Sequence, residues 1–94
     1  MSYIYFSTDT SLINENTPDN QAARIYCNAA INNLATNTTI SLNSNRFLFG
    51  VCGEILDSID GANNSEKSSL RRLARAIYEF VTTNGMYVRN NITQ

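Results

Sequence analysis

The sequence predicts an all-α fold: a small three-helix domain with an extended N-terminal arm. Apolar residues recur at helical spacing in three separate stretches, and helix-starting residues stand ahead of the first and the third. A chain of 94 residues allows one domain, spanning 1–94. A domain of this size buries a lower share of its surface than a large one, so its core is either economical or completed by a partner.

The first helix is announced by Thr17-Pro18-Asp19, a capping hydroxyl, a proline at the first helical position and an acid in the first turn. Ala23, Cys27, Ala30 and Leu34 then fall within a narrow arc flanked by Tyr26 and Ile31, while Ile25 points the other way. Thr36 to Thr39 interrupt the pattern with residues that favour turns or extended backbone. The second helix is expected from Asn43 or Ser44 to about Asp60, with Leu48, Val51, Cys52, Ile55 and Ile59 as its apolar stripe. Gly50 and Gly53 weaken it. Either another backbone approaches them closely, or they mark a break before a shorter helix from Glu54. Gly61 stands where a left-handed helix-ending residue is expected.

The third helix carries the strongest signal. Asn64 or Ser65 is its expected cap, and Leu70, Leu73, Ala74, Ile77 and Val81 form a continuous stripe up to an end at Gly85. Residues 1–16 are read as the extended arm and 85–94 as a tail. The alternative is an α+β fold, with a minor sheet from residues 3–6, 39–42 and 86–88. No tight hairpin signal joins those stretches, and short isolated strand pairs are marginal.

Composition narrows the function. The chain has no His, which removes the side chain that titrates nearest neutrality and the commonest metal ligand. Triads built on His are excluded. Glu54, Asp57 and Asp60 are close in sequence, but they match no calcium loop and read as a solvated acidic face. No glycine-rich phosphate loop is present. Cys27 and Cys52 belong to no CxxC pair; they could bridge, but read more simply as two buried thiols of a cytoplasmic protein. The expectation is therefore a non-enzyme with no catalytic residues, no cofactor and no metal. The start of the chain has no positive charge and is not read as a signal peptide, and no apolar stretch is long enough to span a membrane.

What remains is surface. The net charge of −1 gives little general attraction for phosphates, so nucleic acid is disfavoured as a partner. Lys67, Arg71 and Arg75 recur every four residues with Arg72 beside them, a stripe that runs against the dipole of the third helix. Three readings fit it: pairing with Glu54, Asp57 and Asp60, an acidic protein partner, or a weak nucleic-acid-binding regulator. Arg75 with Glu79 adds a same-helix pair. The surplus aromatic and aliphatic side chains Tyr3, Tyr5, Phe6, Ile25, Phe47, Phe49 and Phe80 are the interface candidates, because they cannot all face one small core. They point to an adaptor, chaperone or regulator that binds another protein, or to a homo-oligomer. A phage or mobile-element inhibitor or immunity-like protein would carry the same features.

Two stretches carry a family resemblance. Asn45-Arg46-Phe47-Leu48-Phe49 resembles the Asn-Arg-x-Leu-aromatic run of the FlaF family, flagellar biosynthesis regulators of alphaproteobacteria, with Phe49 where that family usually has Trp. Asn64, Leu70-Arg71, Ile77 and Phe80-Val81 are similar to its second segment. Thr17-Pro18 is similar to its Ser/Thr-Pro-Arg start, with Asp19 in place of Arg. The resemblance spans roughly residues 17–84. It implies a small helical cytoplasmic protein that promotes flagellin production or export by binding flagellin, with no catalysis and no cofactor. It also implies that Asn45 and Arg46 fix a helix start, with Asn45 near the cap, and that Leu70, Arg71 and Phe80 carry the second segment.

Overall fold

The computed structural model describes residues 10–36 and 40–83. They form three helices and no strand: α1 (Asp19–Thr36), α2 (Leu42–Ser58) and α3 (Asn64–Thr82), with a single 3-10 turn (Ile59–Gly61) closing α2. The all-α expectation holds. Leu42 opens α2 and residues 40–42 form no strand; residue 39, like residues 3–6 and 86–88, lies outside the described residues.

The helix starts differ in detail from the sequence expectation. Pro18 precedes α1, and its carbonyl accepts from the Ala22 N–H at 2.9 Å. The Thr17 hydroxyl turns backwards and accepts from the Asn14 N–H at 3.0 Å. Ser41, not Asn43 or Ser44, caps α2 by accepting from the Ser44 N–H at 3.2 Å. Asn45 therefore lies inside the helix rather than at its cap. Asn63, one residue before the expected cap, starts α3 with a reciprocal pair. Its side chain accepts from the Glu66 N–H, and the Glu66 carboxylate accepts from the Asn63 N–H, each at 2.9 Å. Two orphan donors are satisfied at once.

α2 runs unbroken through Gly50 and Gly53. Nothing lies within 4 Å of where a Cβ would stand at either position, so no backbone approach explains them. Gly61 does not adopt the left-handed conformation; the chain leaves through the 3-10 turn instead. α3 ends at Thr82, before Gly85, with the Thr83 N–H donating to the Glu79 carbonyl.

α1 is the central element. Ala22, Ala23, Cys27, Ala29 and Ala30 have no exposed surface, and this small-residue helix lets its neighbours approach closely. α1 packs along most of α3 and along α2, while α2 and α3 meet only sparingly. The shared core joins Ala23, Cys27, Ala30 and Leu34 to Ile40, Cys52, Ile55 and Ile59, and to Ala74, Ile77 and Val81 of α3. On the flank of α1 the Tyr26 ring meets that of Tyr78, with centroids 5.6 Å apart. Residues 10–18 make two turns, closed by Ile13 N–H to Thr10 carbonyl and Thr17 N–H to Asn14 carbonyl bonds of 3.1 Å. Thr10 reaches α3 through its hydroxyl, 3.3 Å from that of Tyr78.

Candidate protein-binding groove

α2 and α3 meet only sparingly, and an apolar groove lies between them. Phe47, Leu48 and Val51 line it from α2, and Leu73, Ala76, Ile77 and Phe80 from α3, around a space of about 420 Å³. Every lining side chain is apolar. Leu48, Val51 and Phe80 pack inward against the core and Ile77 belongs to it, whereas Phe47 is 69% exposed and Leu73 45% exposed. Around the connection from α2 to α3 the surface has a different character. Ser58, Gly61, Ala62, Ser65, Glu66, Ser69 and Leu70 surround a second hollow of about 610 Å³, rich in hydroxyl groups.

Among the described residues, the groove brings together two of the aromatic interface candidates, Phe47 and Phe80. Phe49 is two residues from Phe47, about 200° around the helix, and takes no part in the groove. Ile25 is half-buried on α1 and outside the core cluster. Tyr3, Tyr5 and Phe6 lie outside the described residues. Sequence reasoning missed Leu73 and Ala76 as surface residues. Leu73 sits in the apolar stripe of α3, and periodicity marks a face without saying what covers it.

The basic stripe is divided. Arg71 turns towards α1: its Nη1 donates to the Thr17 carbonyl at 2.7 Å and to Asp19 Oδ1 at 3.1 Å, and its Nη2 donates to the Asn14 carbonyl at 2.6 Å. Ser68 donates to the other Asp19 oxygen at 2.6 Å. The Ser68 hydrogen bond and then the Arg71 guanidinium hold the Asp19 carboxyl below its ordinary range. Arg71 therefore pins the entry of α1 to α3. The counter-charge comes from Asp19, not from the acids of α2 expected from the sequence.

Arg75 pairs with Glu79 at 2.9 Å, as the spacing predicts. Asp60 pairs with Arg24 of α1 at 2.9 Å. Lys67 and Arg72 form no ion pair among the described residues, and Arg72 is exposed, its charge adding to that of Arg71 in lowering Asp19. No cluster of three or more metal-ligating residues occurs among the described residues, and no described helix is long and apolar enough to cross a membrane.

Asn45, singled out by the family resemblance, is half-buried, and its Oδ1 is buried without a hydrogen-bond partner. Comparison with protein-family models, with curated proteins and with solved structures finds no match to this chain.

Proposed function

We propose that this chain is a non-catalytic binding module that acts in the cytoplasm and receives a helical segment of another protein in the α2–α3 groove. The observation that carries the reading is the exposure of Phe47 and Leu73 within one wholly apolar lining. Large apolar side chains exposed together on a small protein are what interfaces use for anchoring. An amphipathic helix fills a groove between two helices by placing side chains at i, i+4 and i+7 along it.

The basic patch supports a nucleic-acid reading poorly, since Arg71 is engaged with α1 and Arg75 with Glu79. The flagellar version of the proposal, with flagellin as partner, rests on the resemblance around Asn45–Phe49 and Asn64–Val81 alone. In the groove reading, Phe47 makes contact and Phe49 does not.

The test is affinity capture with the wild-type chain, Leu73→Glu and Phe49→Ala, followed by titration of the purified captured protein. The proposal expects binding to be lost in Leu73→Glu, which introduces a charge at an already exposed position, and retained in Phe49→Ala. Flagellin among the groove-dependent partners would support the flagellar version. Loss of binding in Phe49→Ala but not in Leu73→Glu would refute the groove.

A further inference from the structure

The two cysteines come together in the core, a placement the binding function does not use. Cys27 lies nine residues before Thr36, the end of α1, and Cys52 ten residues after Leu42, the start of α2. In an antiparallel helix pair joined by a short connection, those positions stand level to within about 2 Å along the axes. Both residues have no exposed surface and belong to the same core cluster. Both are free thiols, on helices that pack directly against each other. Ala23 and Ala30 lie one turn to either side of Cys27 on the same inner face, so no bulky α1 side chain there wedges the helices apart.

We propose that Cys27 and Cys52 are a disulfide-forming pair, which a small-molecule disulfide oxidises to one intramolecular bond tying α1 to α2. The exchange balances without any further reactant. One of the two cysteines, deprotonated, attacks one sulfur of the small disulfide, whose S–S bond breaks; one thiolate leaves and takes up a proton. The other cysteine sulfur then attacks the protein sulfur of the mixed disulfide, and the second thiolate leaves with the remaining proton. Two protein thiols are oxidised, and one small disulfide is reduced to two thiols.

Access comes through local opening of the α1–α2 pair, because neither sulfur reaches the surface in the closed fold. Closing the bond fixes α2 to the helix that already holds it, since α2 has few contacts with α3.

The full chain is incubated with glutathione disulfide under native conditions, quenched with acid, unfolded and alkylated, and its intact mass is measured. Cys27→Ala and Cys52→Ala are treated in parallel. The expected product is a monomer lighter by two hydrogens that resists alkylation, reverts with dithiothreitol and unfolds at a higher temperature than the reduced chain. Each single variant should instead retain one glutathione. Alkylation of both thiols in the wild-type chain, while the single variants do take up glutathione, would overturn the proposal. So would failure of all three proteins to react, or an oxidised monomer that melts below the reduced one.

Discussion

Replacing Gly50 or Gly53 with alanine should stabilise the protein. Both glycines sit in the interior of an unbroken α2, and a methyl group at either meets no atom within 4 Å. Neither adopts a left-handed backbone that alanine would resist. The folded state therefore incurs no steric penalty. Alanine is favoured over glycine by about 0.8–1.0 kcal/mol in a helix interior, because it leaves less backbone freedom to lose on folding. For a domain of this size, about 1 kcal/mol corresponds to a rise in Tm of roughly 4–8 °C. The assay is thermal and urea unfolding followed by circular dichroism at 222 nm, with each single variant and the double variant. The urea midpoint should rise with an unchanged slope, and the double variant should gain about the sum of the singles. A fall in Tm for either single variant would refute the reasoning, since it would mean that the backbone or the surroundings of α2 cannot accept a Cβ there.

Three further outcomes follow from the caps and the Arg71 clamp. Arg71→Met keeps the length of the side chain but removes its donors to two backbone carbonyls; urea unfolding should show a loss of about 2–3 kcal/mol, with Arg71→Lys between it and the wild type. Asn63→Ala removes one half of the α3 capping box and should cost about 1 kcal/mol in the same assay. Asp19 is held below its ordinary value of 3.8 in the folded state, so its contribution is present above that value and is lost as pH falls through the lower folded one. The Tm difference between wild type and Asp19→Asn should accordingly be largest above pH 4 and shrink as the solution becomes more acidic.

The parts of the fold that were legible in the sequence are those decided locally. The α3 stripe repeats over five turns, and the buried faces of α1 and α2 follow from Ala23, Cys27, Ala30 and Leu34, and from Cys52, Ile55 and Ile59. The start of α3 was blurred because Asn63, Asn64 and Ser65 can all cap a helix. Glu66 at the third position after Asn63 is the signal that selects it. The break weighed at Gly50 and Gly53 did not occur, because the packing of Cys52, Ile55 and Ile59 on α1 outweighs two unfavourable propensities.

The site was less legible. The partners of Arg71 lie 52 residues upstream at Asp19 and 57 at Asn14, and no local pattern announces them. The groove depends on α2 and α3 meeting only sparingly, which the period of neither helix specifies. Phe47 and Phe49 look like one aromatic patch in the sequence, yet the helical turn separates them. Leu70 and Leu73 belong to one stripe, but Leu70 packs against the core while Leu73 stays exposed in the groove.

The central claim, that the α2–α3 groove holds a partner, is tested most directly by placing a photo-crosslinking amino acid at position 73 and, separately, at position 49. The full chain is expressed in its source cell and irradiated. The account predicts a discrete protein adduct from position 73, mapping to a helical segment of the partner, and none from position 49. The adduct from position 73 should vanish when Phe47→Glu is added to a chain that remains folded. No adduct from position 73, or the same adduct from both positions, would contradict the account.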